Sequence, residues 1–353
     1  RSEMGTGSRT SLPMVLADEM GADWSMVKIE QAEGDEIKYG NQDTDGSRSM
    51  RHHIQSMRQM GASVRHMMAA AAAEKWGVDV STVTVGVHEV MSGSNKAGFG
   101  ELAADAMKQP VPEFEALSFK DESEFRYIGK GNVSITDLHD ITTGKAIYGA
   151  DVRIPGMKYA AVARPPVAGS RPLKYDASAT WGMSGVENVM GLPITGLGSV
   201  FAQKGGIAVI ASNTDAAIRG RDALEIEWGD SPHSGYNSEA FTAEMRETAK
   251  AEGKVLRAEG DAKAAFESAA KTFSRQYTQA HMAHAMMEPP VAIADFKDGK
   301  CEIWAPVQSP YNCRLIVAGA LKMDPANVKV NVTLMVGGSG RKSKTDSVLA
   351  GAS

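Results

Sequence analysis

The polar and apolar positions between residues 48 and 76 predict the longest helix of the chain. Apolar side chains recur there at steps of three and four residues, which places them on one helix face. These positions are Ile54, Met57, Met60, Val64, Met67 and Ala71. Gly77 follows Trp76 and marks the predicted end. We interpret the methionines as packing residues of a core helix, because an unbranched thioether fills irregular gaps.

Shorter patterns predict an α+β protein of mixed sheets with flanking helices. The predicted strands are residues 25–31, 83–90, 146–148, 159–163, 186–190, 207–211, 224–228, 273–278, 291–296, 300–305 and 328–336. The other predicted helices are residues 12–20, 101–107, 214–222, 238–252, 261–271 and 312–321. Asn213 is the predicted N-cap of the helix at 214–222, and Asp298-Gly299 is a predicted hairpin turn.

Composition narrows the class of protein. The net charge of -5 and 23% charged residues give no electrostatic reason to expect nucleic acid or an anionic membrane surface as a partner. No apolar run approaches the roughly 20 residues that cross a bilayer. Cys301 and Cys313 are the two cysteines, so the chain alone lacks the four thiolates of an iron–sulfur cluster. We interpret both as buried, inert thiols, with a disulfide between them as the alternative.

Three polar glycine segments carry the candidate chemistry: residues 5–11, 46–49 and 337–342. Each combines glycines with hydroxyls and an arginine, and the first two run into predicted helix N-termini. Free backbone N–H groups and the helix dipole favour an anion such as a phosphate. The segments match neither the P-loop nor the Rossmann fingerprint. Taken singly, each could equally be a structural turn.

Six motifs occur in order along the chain: residues 3–7 (EMGTG), 40–49 (GNQDTDGSRS), 144–151 (GKAIYGAD), 284–290 (HAMMEPP), 304–310 (WAPVQSP) and 337–342 (GGSGRK). Together they resemble the molybdopterin-binding large subunit of the xanthine dehydrogenase/aldehyde oxidase-type molybdenum hydroxylases. The resemblance is to the isoquinoline 1-oxidoreductase beta subunit and membrane-associated aldehyde dehydrogenase branch. It covers essentially the whole chain.

The resemblance implies three domains. Residues 1–109 would be the N-terminal part of the molybdopterin-binding domain, residues 118–228 an a/b hammerhead domain, and residues 238–353 a second, truncated part of the molybdopterin-binding domain. A linker at residues 110–112 (PVP) separates the first two, since prolines two apart exclude helix.

The resemblance also implies a molybdopterin cofactor, a molybdenum complex that occurs in some members as a cytosine dinucleotide. Backbone amides and hydroxyls of the glycine loops would hold it, and Gln308 matches the family glutamine near the metal. The implied cofactor-binding residues are Gly5, Thr6, Gly7, Gly46, Ser47, Arg48, Ser49, Gln308, Gly338, Ser339, Gly340 and Arg341. A pterin with a phosphate tail suits such a neutral, donor-rich surrounding.

The sequence departs from the family pattern at the expected contacts. Thr6 stands where the family has glutamine, and Ser339 stands where it has an aromatic residue beside the metal. Val336 replaces the first glycine of the last loop. The family's catalytic glutamate belongs to a G-V-G-E motif near the C-terminus, and these 353 residues do not contain that motif. No catalytic residue is therefore assigned in this chain.

The function implied is hydroxylation of an aldehyde or N-heterocycle with oxygen derived from water. Electrons would leave to a small partner subunit with [2Fe-2S] centres, and in exported members to a c-type cytochrome. The resemblance implies the bacterial periplasm or the membrane if a leader lies upstream, and otherwise the cytoplasm. The alternative hypothesis is a catalytically incompetent fragment that folds and binds only a partner or a pterin.

The residues also offer a zinc site and a hydrolase nucleophile as alternatives. His281, His284 and Glu288 could supply zinc ligands, although the H-E-x-x-H order of the zincins is missing. We interpret these histidines as structural or pocket-lining. Ser339 does not match a hydrolase nucleophile, because Arg341 stands where the G-x-S-x-G motif needs glycine.

Overall fold

The computed structural model describes residues 1–194 and 202–353. Its helices are α1 Ser8–Met20, α2 Glu36–Tyr39, α3 Arg48–Trp76, α4 Phe99–Ala106, α5 Leu138–Thr143, α6 Ser178–Trp181, α7 Thr214–Asp222, α8 Ser238–Thr248, α9 Ala262–Ser268, α10 Pro310–Leu321 and α11 Asp346–Ala352. Its strands are β1 Thr84–Val85, β2 Glu89–Ser92, β3 Asn95–Gly98, β4 Tyr159–Ala163, β5 Pro172–Asp176, β6 Val186–Ile194, β7 Lys204–Ala211, β8 Glu225–Trp228, β9 Ile293–Lys297, β10 Lys300–Ala305 and β11 Val328–Val332. The predicted α+β class is confirmed.

The described residues divide into two compact units. The first contains residues 1–158, 202–203 and 285–353, and the second contains residues 159–194 and 204–284. Residues 195–201, which fall inside the predicted hammerhead domain at 118–228, lie outside the described part of the chain. The three predicted domain boundaries remain predictions. Searching the described residues for a helix long and apolar enough to cross a membrane found none.

Two small sheets carry the apolar core of the first unit. Strands β1, β2 and β3 form an antiparallel meander, and β10 pairs antiparallel with β9 and parallel with β11. The predicted hairpin turn is confirmed, since Asp298 and Gly299 both have positive φ, at 51° and 73°. Strand β10 alternates buried and half-exposed positions, with Ile303 and Ala305 packed under α10 and α11.

Helix α3 is the helix predicted at 48–76, and it packs on α1. Gly61 lies at the crossing, where a Cβ atom would stand 2.7 Å from the carbonyl oxygen of Leu16, so only glycine allows this approach. Met68 and Ala71 are buried in the core, but Ile54 and Met60 are 40% and 44% exposed. The predicted apolar stripe is therefore wrong in its N-terminal half.

Two buried carboxylates on α1 fasten the segment after the proline linker to the first unit. Asp18 accepts backbone N–H groups from Arg126, Tyr127 and Ile128. Glu19 accepts from the backbone of Lys120 and pairs with guanidinium groups on α3. Burial lowers the pKa of Lys120, which contacts Asp18. Residues 118–128 thus belong with α1 and α3 in this structure.

The second unit is built on an antiparallel sheet in the order β4-β7-β6, and helix α7 packs against it. Strands β5 and β8 form a separate two-stranded antiparallel sheet in the same unit. Strand β4 and helix α7 have the bounds that the sequence predicts. The side chain of Asn213 accepts the backbone N–H of Ala216 at 2.9 Å, which confirms the predicted N-cap. Helices α8 and α9 have no buried residue, in agreement with their charged sequences.

The strand predictions at residues 25–31 and 273–278 are wrong. Residues 25–31 form a short 3-10 turn at Trp24–Met26 followed by irregular chain, because the side chain of Asp23 caps that turn through Ser25. Residues 273–278 have no regular structure and are exposed throughout. The predicted strand at 146–148 is reduced to one bridge between Tyr148 and Leu334. Alternation alone does not make a strand where no neighbouring strand offers hydrogen bonds.

Candidate cofactor site

The first glycine loop is organised around the carboxylate of Glu3. Its Oε1 atom accepts the backbone N–H groups of Gly5 at 2.8 Å and Gly7 at 3.0 Å, and its Oε2 accepts that of Arg9 at 2.9 Å. Gly5 and Gly7 have φ values of 92° and 74°, which turn these N–H groups inward. Thr6 is exposed at the tip. The N–H groups that were expected to be free at this loop are already paired with Glu3.

The second glycine loop ends at the N-terminus of the 29-residue helix α3. Gly46 and Ser47 have φ values of 45° and 57°, and no side chain caps the helix. The first N–H groups of a helix lack acceptors within it, so this terminus keeps free donors. Arg48 is bound to Asp45, with 2.5 Å between Nε and Oδ1, and this hydrogen bond lowers the pKa of Asp45. The Ser49 hydroxyl is buried and has no partner among the described residues.

The third loop, residues 337–342, bends through three left-handed positions. Gly337, Ser339 and Gly340 have φ values of 70°, 50° and 78°. Ser339 and Gly340 are exposed. Arg341 makes a bidentate ion pair with Asp346 on α11 at 2.7 and 2.8 Å, which fixes the orientation of its half-buried guanidinium.

Gln308 joins the second and third loops. Its backbone N–H donates to the carbonyl oxygen of Lys342 at 3.0 Å, and its carbonyl accepts the N–H of Thr44 at 2.9 Å. Its side-chain Nε2 donates to the carbonyl of Thr44 at 2.8 Å. A Cβ atom at Gly338 would stand 2.3 Å from Gln308 Oε1, so the loop passes over the amide only because this residue is glycine.

Ser2 and Thr44 bring the first loop to the same place. The Ser2 N–H donates to Thr44 Oγ1 at 2.9 Å, and the Ser2 hydroxyl donates to the carbonyl of Val307 at 2.6 Å. All three glycine loops therefore meet at Gln308 through residues beside them. Neither Ser2 nor Thr44 was predicted as a site residue. Ser2 precedes the first motif and Thr44 lies inside the motif at 40–49, but neither stands out in the sequence because their partners lie far away in the chain.

The two remaining motifs meet at a buried ion pair. Lys342 Nζ lies 2.6 Å from Glu288 Oε2, and their side chains are 2% and 5% exposed. Glu288 Oε1 accepts the backbone N–H of Ala150 at 3.1 Å. A Cβ atom at Gly149 would stand 2.5 Å from Pro306 Cδ, so these segments are in close contact. Apart from His284, which falls in the second unit, the six motifs thus form one connected structure within the first unit.

Each cation of the three glycine loops is paired with a carboxylate. Arg9 pairs with Asp137 at 2.6 Å, and the other cations of the loops pair with carboxylates as described above. Burial raises the pKa of Asp137, although Arg9 opposes the shift. Buried atoms without a partner among the described residues include Ser8 Oγ, Ser49 Oγ, Gln308 Oε1 and Thr345 Oγ1. Neutral hydroxyl and amide groups, with the free N–H groups of α3, are suited to a polar ring system with an anionic tail.

The rival metal site finds no support in the geometry. Both carboxylate oxygens of Glu288 are engaged by Lys342 and Ala150. Among the described residues there is no group of three or more histidine, cysteine, aspartate or glutamate side chains placed to hold a metal ion. Cys301 and Cys313 are buried free thiols, as predicted. Burial raises the pKa of Cys313 to about 12.

Comparison with known proteins assigns the chain to a family. Two family models match the chain, both described as molybdopterin cofactor-binding domains, at residues 1–142 and 245–352. The chain belongs to the molybdopterin cofactor-binding family. Every predicted cofactor-binding residue lies inside one of the two matched ranges.

The relatives of this chain have the names of oxidoreductases. It is 32% identical to a protein from Gluconacetobacter polyoxogenes named membrane-bound aldehyde dehydrogenase [pyrroloquinoline-quinone], over 100% of this chain and 46% of that protein. It is 26% identical to the isoquinoline 1-oxidoreductase subunit beta of Brevundimonas diminuta, over 96% of this chain and 48% of that protein. The chain therefore spans about half the length of these relatives.

Solved structures that match part of the chain include quinoline 2-oxidoreductase from Pseudomonas putida 86. That structure is 20% identical, covers 56% of this chain and 29% of its own, and has a TM-score of 0.41. A Cu,Mo-CO dehydrogenase is 19% identical, over 61% of this chain and 33% of its own, with a TM-score of 0.42.

Proposed function

We propose that this chain is the molybdopterin-binding part of an oxidoreductase that hydroxylates an aldehyde or an N-heterocycle with oxygen from water. The observation that carries the proposal is the meeting of three glycine loops at Gln308, in a chain of the molybdopterin cofactor-binding family. The names of the relatives supply the two substrate classes.

The residues of this chain would bind and orient the cofactor. The free N–H groups at the start of α3, with Gly46, Ser47 and Ser49, suit its anionic tail, because the helix dipole favours negative charge there. Gln308, together with Gly338, Ser339 and Gly340, suits the ring system through amide and backbone groups. When bound, molybdopterin would supply the two-electron redox chemistry. Two electrons and two protons leave for each oxygen atom that is added to the substrate.

The chain holds no iron–sulfur cluster of its own, since it has two cysteines and both are buried. Electrons would pass to a partner subunit with [2Fe-2S] centres and, in an exported complex, to a c-type cytochrome. The bacterial periplasm or the membrane is the proposed location if a leader precedes the chain, and the cytoplasm otherwise. A cytosine dinucleotide form of the cofactor is likewise proposed.

The test is cofactor content after expression with a small [2Fe-2S] subunit in a host that makes molybdopterin. We expect molybdenum, measured by mass spectrometry, and the fluorescent oxidised pterin in the purified protein. Pyrroloquinoline quinone is measured in parallel because one relative carries it in its name. Absence of both molybdenum and pterin would overturn the proposal. Pterin without oxidation of an aldehyde or N-heterocycle would favour the alternative of a binding fragment.

A matched pair of glycine variants tests the site itself. Gly338→Ala would place a methyl group against Gln308 Oε1, and we expect at least a tenfold loss of bound pterin as the loop is displaced. Gly319→Ala on α10 is the control, because a Cβ atom there meets nothing within 4 Å. Equal pterin content in both variants would remove Gln308 and Gly338 from the proposed site.

A further inference from the structure

Glu3 lies at the N-terminal end of α1 and its carboxylate accepts three backbone N–H groups there. The donors are Gly5, Gly7 and Arg9, at 2.8 to 3.0 Å. Glu3 is 6% exposed, so water competes little for its oxygens. A hydrogen bond from an N–H group to a carboxylate is stronger than one between neutral groups, so three of them fix the loop firmly to Glu3.

The charge on Glu3 has no cation beside it among the described residues. The nearest basic residue in sequence, Arg9, donates its N–H to Glu3 but directs its guanidinium to Asp137. The Glu3 charge adds to burial in raising the pKa of Asp137. The Ser8 hydroxyl in the same loop is buried without a partner, so the loop keeps a neutral donor. This end of α1 is therefore occupied by an internal anion, unlike the end of α3.

We propose that Glu3 is a positioning residue that serves as an internal anion for the loop of residues 5–9. It holds Gly5 and Gly7 in their left-handed conformations before any ligand binds and keeps external phosphate away from α1. If the proposed function holds, the anionic part of the cofactor belongs at the start of α3, and the first loop supports the site only through its backbone conformation.

The test uses the chain without cofactor, so that it does not depend on the proposed function. Amide hydrogen exchange at Gly5, Gly7 and Arg9 is compared between the unaltered chain and Glu3→Ala, with and without acetate at constant ionic strength. Removing the carboxylate should speed exchange at all three amides by about tenfold or more. Acetate should then restore protection in a saturable way, because it places a carboxylate on the vacated N–H groups.

Glu101→Ala is the matched control. Glu101 is also a carboxylate that caps a helix, but it is exposed and accepts only the N–H of Gly98 at 3.0 Å. We expect no saturable response to acetate in this variant, nor in the unaltered chain. Inorganic phosphate should leave the Gly5, Gly7 and Arg9 amides of the unaltered chain unchanged. A phosphate response at these amides, or the absence of acetate rescue in folded Glu3→Ala, would overturn the proposal.

Glu3→Gln covers the case in which Glu3→Ala does not fold. Its single amide oxygen can serve Gly5 and Gly7, while its NH₂ group faces the N–H of Arg9. Faster exchange confined to Arg9 supports the proposal, and an equal rise at all three amides contradicts it. If the unaltered chain does not bind molybdopterin, only the assignment of the cofactor's anionic part is overturned. The amide results would stand.

Discussion

The β4-β7-β6 sheet with α7 and the structure around Gln308 are held together by different kinds of contact. In the sheet, neighbouring strands pair through regular ladders, and Ala211, Ala216 and Ala217 form an apolar core. Around Gln308, buried amides and hydroxyls link segments that are hundreds of residues apart, and a buried ion pair joins Lys342 to Glu288. The first region depends on burial of apolar surface, whereas the second depends on satisfied polar groups.

The largest expected effect comes from Lys342→Met, which leaves the Glu288 carboxylate buried without its cation. We expect a loss of about 3–5 kcal/mol in the free energy of unfolding, since an unpaired buried charge keeps its desolvation cost. The control is Lys329→Met, whose partner Glu302 lies 2.8 Å away in an exposed pair. That change should cost less than about 1 kcal/mol. Urea titration measures both, and equal losses would contradict the contrast.

Gly206→Ala probes the sheet region. Gly206 has a φ of 130°, and a Cβ atom would stand 2.2 Å from the carbonyl oxygen of Ala163 on β4. Strain and backbone displacement should cost roughly 3 kcal/mol. Gly191→Ala on β6 is the control, because it meets nothing within 4 Å and should change stability by less than about 1 kcal/mol. Thermal unfolding of the two variants distinguishes a packing effect from the general cost of losing a glycine.

Asn213→Ala removes the N-cap of α7 and should cost about 1 kcal/mol, because the N–H of Ala216 loses its acceptor. Ser309→Ala at the start of α10 is the counterpart in the first unit, where the serine side chain makes no capping bond. We expect a smaller loss there. A larger loss for Ser309→Ala in chemical denaturation would show that its hydroxyl has a role the geometry does not reveal.

The smallest expected effect concerns the thiols. Burial raises the pKa of Cys313 from 9.0 to about 12, so the fold favours its neutral form. Its contribution to stability is present below pH 9.0 and is lost as pH rises from 9.0 towards about 12. At pH 8 we expect slow reaction of the native thiols with a disulfide reagent, and fast reaction in urea. Ala251→Cys, at an exposed position, is the control and should react quickly in the native protein.

The same contrast explains which predictions succeeded. Strand β4, strand β10 and helix α7 were predicted with their observed bounds, because alternation, a cap and a turn are local signals. The strand at 25–31 was predicted from alternation of the same kind, yet no neighbouring strand pairs with it. Local sequence patterns therefore predicted helices and strands, but they did not show which strands have a neighbouring strand to pair with.

For the candidate site, the sequence identified the three glycine loops but did not show which groups their N–H donors and charged side chains bind. The three glycine segments and Gln308 were recognised from their motifs, and the structure brings them together. Only the structure shows which polar contacts hold the loops together, namely those of Glu3, Ser2, Thr44 and the Lys342–Glu288 pair. The first loop was expected to offer free N–H groups, but Glu3 uses them.

The sequence by itself determined the family, the α+β class, the long helix α3 and the six motifs. These follow from residue order, from periodicity and from the conformations that glycine allows. The tertiary structure decided which polar groups are satisfied internally and which are left for a ligand. The physical reason is that satisfying a buried polar group depends on the distance to its partner in space, and Thr44 and Gln308 are 264 positions apart in the chain.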